Sequence, residues 1–479
     1  MFYLLLMKNK LKSNLHLKDV FNLFSGTVIF AVVSVVSNII LSRNLKTNDF
    51  GGFNAINSTI TLFSPFILFG LNITAGRILA KYKNLKPYFV FSIKKQIEKI
   101  YFIFFKIYAS IYLVIIPIIN IYVLKDTRLI LPSYIGFFYL FSLSYSELQI
   151  GFINGLGEFK IIRDFSFAKA GLTIILTIVS FFIKDLIFVY ALFVILNLVY
   201  TSFIRNRLKG LFINNKFGEQ VEIPDRFKKK ILSYSGVIFL GSVIVLPFSY
   251  ISNLVVSTNL GIKTFAALSV FTTWQGVLTF FPATYAKIVL PFISGSQFKS
   301  TRNSNFYLST RINNYSVFGI YLFIVSASGI ILNLYGPFYL SLQKSFNFFL
   351  GSTAVAFMGN TYGTQVQVRG FKYTIILGNA VTGISLIIFT FLFNTNMGIN
   401  SLCLGMLIGN ILNFSISFFT ILRRDDFSIN FHKGTFLAFI IVISATVFNS
   451  IYIGHFQFLN LIFILFYFLI DRYFLQKIV

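Results

Sequence analysis

Six ionisable side chains lie inside stretches that are otherwise apolar enough to cross a bilayer: Arg77, Lys106, Glu147, Lys169, Lys287 and Arg369. Charge in hydrocarbon is costly, so such residues usually face a bundle interior or a water-filled cavity. Arg77 closes the small, polar stretch Gly70-Leu71-Asn72-Ile73-Thr74-Ala75-Gly76, which is unlike a lipid-facing surface. Glu147 is the one acid placed within a span, and Ser142, Ser144, Ser146 and Gln149 give it a polar face. Its carboxylate either pairs with a cavity cation or carries a coupling proton or sodium ion. Arg77, Lys169, Lys287 and Arg369 sit near expected span ends, where the alternative is snorkelling to the headgroups. Lys106 lies about two turns into its span, where snorkelling is harder.

The second half of the chain offers amides instead of acids: Asn253, Gln275, Asn360, Gln365 and Gln367, with Arg369 just beyond them. Amides both donate and accept, which suits sugar hydroxyls. They serve equally well as hydrogen bonds between helices in a bilayer. Five bases against one acid give a cavity whose sign favours an anionic ligand, such as a pyrophosphate headgroup, over an organic cation. No Walker A, Gly-x-Ser-x-Gly or His-Glu-x-x-His pattern occurs, and His16, His432 and His455 are isolated. The single cysteine, Cys403, excludes an intrachain disulfide and a Cys-based metal site. These absences favour a secondary transporter without metal or cofactor over an enzyme.

The elements that must position these residues follow from composition. The 479 residues are 56% hydrophobic and only 11% charged, against roughly 25% charged in a soluble chain. The chain is therefore an all-α polytopic membrane protein. The net charge of +27 belongs to basic loops and anionic lipid, not to nucleic acid. Residues 1–7 are too short for a signal sequence and precede the basic residues. Apolar runs of roughly 20 residues predict fourteen spans, at 21–41, 54–79, 100–123, 129–152, 165–183, 186–204, 231–256, 265–290, 315–334, 346–368, 373–393, 398–422, 435–453 and 456–474. Alternating sides, one collects 31 Lys and Arg and the other seven. The positive-inside rule then puts both termini in the cytoplasm.

Residues 26–50 laid on 241–265 without a gap give ten identities, among them the polar series Ser34/Ser249, Ser37/Ser252, Asn38/Asn253, Ser42/Ser257 and Asn44/Asn259. Relating span one to span seven preserves orientation, so the halves are parallel repeats about an axis along the membrane normal. The expected organisation is a cytoplasmic segment 1–20, an N-lobe 21–204, a basic linker 205–230, a C-lobe 231–422, a cytoplasmic loop 423–434 and two further spans in 435–479. Two six-helix lobes would face a central cavity and rock in alternating access. Gly151-x-x-x-Gly155 and Gly405-x-x-x-Gly409 read as close helix-packing sites.

Four motifs in order resemble the polysaccharide-transporter branch of the multidrug/oligosaccharidyl-lipid/polysaccharide flippase superfamily. They are Leu41-Ser42-Arg43-Asn44-Leu45 with Asp49-Phe50-Gly51-Gly52-Phe53; Gly70-Leu71 through Gly76-Arg77; Gly155-Leu156-Gly157-Glu158-Phe159-Lys160; and Asn253 to Phe265, where the branch often has an acid near Asn253 and this chain does not. The resemblance implies a flippase of undecaprenyl-pyrophosphate-linked oligosaccharide in a bacterial inner (cytoplasmic) membrane. It also implies a role for Arg77 on the anionic substrate, and a polysaccharide polymerase and assembly proteins as partners. Asn72, Lys106, Lys287, Arg369, Asn253, Gln275 and Gln365 are further candidate substrate contacts, with Glu147 for a coupling ion or ion pair. A lipid II flippase, a drug/cation antiporter and a membrane polysaccharide polymerase are the alternatives.

Overall fold

The computed structural model describes residues 17–85, 87–214, 224–295, 299–368, 371–423, 429–451 and 463, and the regular elements among them are all helical. A bilayer supplies no hydrogen bonds to the backbone, so each segment must satisfy its own N–H and C=O groups. The first half comprises α1 (Leu17–Asn44), α2 (Thr47–Leu68), α3 (Leu71–Leu85), α4 (Val90–Ile118), α5 (Ile130–Leu156), α6 (Phe159–Phe182) and α7 (Leu186–Asn214). The second comprises α8 (Asp225–Val243), α9 (Val245–Leu260), α10 (Lys263–Gly295), α11 (Lys299–Ser326), α12 (Ser328–Tyr335), α13 (Gln343–Val368), α14 (Lys372–Met397), α15 (Ile399–Leu422) and α16 (Ile429–Ile451).

Each of the first thirteen expected spans falls on one of these helices or on a consecutive pair. Among the described residues, eight helices are long and apolar enough to cross a membrane, or ten if each bent pair is one span. The protein is thus a multi-pass membrane protein, but the count of fourteen is not reached. Helices α10, α13 and α16 occupy expected spans without meeting that measure, and 456–474 lies outside the described residues.

Two expected spans are broken in ways that hydropathy does not reveal. Helices α2 and α3 bend by 42° at Phe69 and Gly70, whose φ values are 46° and 71°. Pro65 lacks the N–H that would donate to the Thr61 carbonyl, so the ladder is interrupted one turn before the bend, while its own carbonyl accepts the Phe69 N–H that ends the helix. Glycine suits position 70 twice over: it takes positive φ freely, and a Cβ there would lie 2.7 Å from the Ser235 carbonyl oxygen. Helices α11 and α12 bend by 63° around Ala327.

The repeat read from 26–50 and 241–265 reappears as packing. Helix α1 packs on α6 as α9 does on α14, and α2 on α5 as α10 does on α13. Likewise α5 meets α7 as α13 meets α15, and α6 meets α7 as α14 meets α15. Apolar burial gives little drive between helices in lipid, so close approach at small residues and interhelical hydrogen bonds hold such pairs. Gly155 rests on α3, where a Cβ would come within 2.8 Å of the Gly76 carbonyl. Gly405 and Gly409 rest on α14, where Cβ atoms would come within 2.9 Å of the Leu386 and Thr382 Cα atoms. Both glycine pairs are packing sites, as their spacing predicts. Helix α16 joins the second half against α13, with Asn347 Nδ2 donating to the Asn449 carbonyl at 3.1 Å.

Candidate functional site at the seam of the two halves

The halves touch at both ends of the bundle. At the end that carries the basic loops, α3 lies against α8. Arg77, Thr74 and Gly70 recur every three to four residues and so share one face of α3. Opposite them stand Tyr234 and Ser235 of α8. Arg77 Nη1 donates to the Tyr234 hydroxyl, and its guanidinium carbon lies 4.7 Å from the Tyr234 ring centroid. Ser235 Oγ donates to Thr74 Oγ1 at 2.8 Å. Arg77 is exposed, and among the described residues no carboxylate pairs with it. A guanidinium with a face on an aromatic ring and donors left over can take up an oxyanion. Asn72, one turn earlier, is half-buried, and its backbone supports the α5 crossing at Gly151.

At the opposite end, Arg43 of α1 reaches the last turn of α12. Its Nε donates to the Leu334 carbonyl at 2.7 Å and its Nη2 to the Asn333 carbonyl at 2.6 Å. Terminal carbonyls of a helix have no partner within it and carry partial negative charge, so a cation is well placed there. Gly51 at the start of α2 also packs directly on the Ile262 carbonyl between α9 and α10, joining the halves.

Glu147 projects from α5 within the first half, half-buried, and Lys169 of α6 is the opposite charge that acts on it, at longer range than an ion pair. The Lys169 Nζ also lies 4.9 Å from the Phe30 ring centroid and 5.7 Å from that of Tyr200, positions that favour a cation. Most of the polar face around Glu147 is spent on neighbouring helices, while Ser146 bonds the Leu143 carbonyl of its own helix. Ser142 Oγ donates to the Asn197 carbonyl at 2.7 Å, Ser144 shares a hydrogen bond with Tyr101 at 2.8 Å, and Gln149 donates to Glu98 at 3.2 Å.

The polar series of the repeat does similar work. Ser37 bonds Thr177 at 2.6 Å and Asn44 bonds Ser180 at 3.3 Å, joining α1 to α6. Asn38 donates to Ser269 at 3.3 Å and so joins α1 to α10 across the halves. Its counterpart Asn253 is half-buried on α9.

The other candidates are dispersed. Lys106 is exposed on α4 among exposed Phe102, Ile103, Ile107 and Ile111, a surface suited to lipid. Gln275 donates to Thr353 at 3.2 Å, tying α10 to α13. Gln365 is wholly buried on α13, and neither amide atom finds a partner among the described residues. Lys287 lies on α10 with its side chain outside the described residues, as is Arg369 altogether. The structure thus brings together Glu147 with Lys169, while Arg77 meets a residue the sequence had not singled out.

That residue, Tyr234, gave no signal, because tyrosines are abundant here and its role depends on contact across 157 positions. A second unforeseen group is Glu98 of α4, held by Lys94 at 2.9 Å with both side chains 17% exposed. Its place in a basic stretch concealed it; the four-residue spacing from Lys94 was the available clue.

The sequence profile of the polysaccharide biosynthesis protein family matches residues 16–297. The chain belongs to that family. Its fold is that of the multidrug and flippase transporters. It is similar to the lipid II flippase MurJ in an inward closed conformation, with TM-score 0.64 and 16% identity over 94% of this chain and 97% of that one. It is similar also to a multidrug resistance MATE family transporter of the MOP superfamily, inward-facing, with TM-score 0.66 and 11% identity over 87% and 96%. A MATE transporter of Vibrio cholerae gives TM-score 0.64 and 12% identity over 85% and 97%. No curated protein sequence matches the chain.

Proposed function

We propose that the protein is a flippase for undecaprenyl-pyrophosphate-linked oligosaccharide units, moving them from the cytoplasmic to the outer leaflet of a bacterial inner membrane by alternating access. One observation carries this reading: an exposed arginine, without a carboxylate partner among the described residues, stands where the two halves meet, at the end bearing the basic loops. A pyrophosphate is the ligand that such a guanidinium holds best. Membership of a polysaccharide biosynthesis family supports a glycan cargo. The paired repeats support rocking of an N-lobe, 21–204, against a C-lobe, 231–422, with the basic end and both termini cytoplasmic. Glu147, with Lys169 as the opposite charge acting on it, is the group inside the N-lobe through which proton or sodium coupling would act. Asn253, Gln275 and Gln365 remain candidate hydroxyl contacts, and a polysaccharide polymerase would take the delivered units.

A lipid II flippase is the second reading, favoured by the likeness to MurJ along almost the whole chain. Deletion of the gene, followed by surface-glycan analysis and extraction of undecaprenyl-linked intermediates, separates the possibilities. The expected result is loss of long surface glycan, with single repeat units held on the cytoplasmic leaflet. Accumulated lipid II identifies the second reading, units on the outer leaflet point to a polymerase, and intact glycan with altered drug sensitivity points to an antiporter. Arg77→Ala and Glu147→Ala are expected to abolish export while still inserting; normal glycan from both at normal protein levels would overturn the assignment of these residues.

A further inference from the structure

We infer that Tyr234 is a stand-in ligand for Arg77: it occupies the guanidinium in the empty carrier, and the pyrophosphate of an entering substrate must displace it. The inference rests on the reading of Arg77 as a pyrophosphate contact and adds how that contact is regulated. Three observations carry it. The tyrosine engages the guanidinium both by its hydroxyl and by its ring, at 4.7 Å from the centroid. Among the described residues Arg77 has no carboxylate to satisfy it. The two residues lie on different halves of the molecule, so their contact is part of the α3–α8 seam.

The physical logic is one of exchange. A flippase must reset empty after each delivery, and an arginine that binds pyrophosphate during loading is then a bare cation at a closing interface. With the contact made Arg77 stays exposed, so only its face against α8 loses water, and that loss is unfavourable without a partner. A phenol offers an oxygen acceptor and a π-face, which together offset much of that cost while adding no charge. A carboxylate in its place would compete too strongly with the substrate. Tyr234 is thus strong enough to let the empty seam close and weak enough to yield to a dianion. Other seam contacts, the Thr74–Ser235 hydrogen bond, Gly70 against the Ser235 carbonyl and the Tyr82 ring edge-on to Phe227, are neutral and short-ranged. Release of Arg77 removes the one charged contact of this face among the described residues.

The test uses the full-length protein in nanodiscs with undecaprenyl pyrophosphate as the probe and undecaprenol as its uncharged control. Affinity is measured for wild type, Tyr234→Phe and Arg77→Ala. In parallel, nitroxides at Ala80→Cys and Leu232→Cys, both exposed, report the α3–α8 distance in a Cys403→Ala background. Tyr234→Phe keeps the ring and removes the competing hydroxyl. It is expected to bind the probe roughly three- to tenfold tighter than wild type, the scale of one hydrogen bond to a charged group partly replaced by water. The wild-type distance is expected to lengthen with undecaprenyl pyrophosphate and not with undecaprenol, and to broaden in the empty Tyr234→Phe variant. Weaker binding by Tyr234→Phe would make the tyrosine a direct substrate contact and overturn the stand-in role while leaving Arg77's role intact. Unchanged affinity with an unchanged seam would overturn it as well. Unchanged binding by Arg77→Ala would instead remove the reading on which the inference rests.

Discussion

Lys169 and Glu147 are each costly in an apolar bundle, and their opposite charges offset part of that cost. Removing one partner of such a couple leaves an uncompensated charge, whereas removing both leaves none. Glu147→Gln or Lys169→Met alone is expected to lower stability by about 1–3 kcal/mol, less than a fully buried pair because both side chains are half-buried. The double variant is expected to regain at least half of that loss. Thermal unfolding in detergent for the four proteins of this double-mutant cycle checks it, and additive losses would mean that the two charges do not interact. The cost of Glu147 and its serine-rich neighbourhood were legible in the sequence. Its partner was not: Lys169 read as a residue near a span end, free to snorkel, until α6 was seen to bring it beside α5. The same gap separates Arg77, evident from its small and polar surroundings, from Tyr234.

At the scale of elements, the bend between α2 and α3 places Gly70, Thr74 and Arg77 on one face toward α8, while the bend between α11 and α12 presents terminal carbonyls to Arg43. Both interruptions thus lie where the halves touch. Arg43→Ala removes two hydrogen bonds from a cation to a helix terminus and should loosen the end of the bundle opposite the basic loops. Reaction of Asn44→Cys with a membrane-impermeant maleimide in intact cells is expected to rise several-fold in that background, and an unchanged rate would show that the contact does not hold that end closed. Gly155 tests a different kind of element contact. Gly155→Val drives two methyl groups and a Cβ into the Gly76 backbone, a neighbour that cannot turn aside, and the cost should exceed the about 1–3 kcal/mol typical of overpacking. Loss of the monodisperse peak in size-exclusion chromatography is the expected outcome. The glycine pairs were legible because the spacing of small residues is itself the signal. The bends were not, since hydropathy averages over the residue whose φ turns positive.

For the whole molecule, the orientation proposed from the charge of the loops makes a definite prediction. Reporter fusions after Arg207 and after Arg423 should both be cytoplasmic, and one after Lys344 should be external. A reporter after Lys344 found inside would break the alternation on which the assignment of sides depends. The pairing of halves was visible in ten identities between 26–50 and 241–265, and the fold repeats it in the packing of α1 on α6 and α9 on α14. The polar members of that repeat drew attention as candidates for a cavity. Ser37, Asn38 and Asn44 turn out to bind helices to one another. An amide or hydroxyl in an apolar span reveals that it needs a partner and not which partner it has.

The amino-acid sequence by itself determined that this protein is a helical membrane protein built as two related halves, with a basic surplus on alternate connections. Those properties are sums and periodicities along the chain, and hydrophobic transfer and loop charge act on them locally. Only the tertiary structure decided which charges are satisfied and by what. Tyr234 on Arg77, Lys169 beside Glu147 and Arg43 on α12 join residues far apart in sequence. Energies of such pairs depend on distances of a few ångströms that no local pattern encodes.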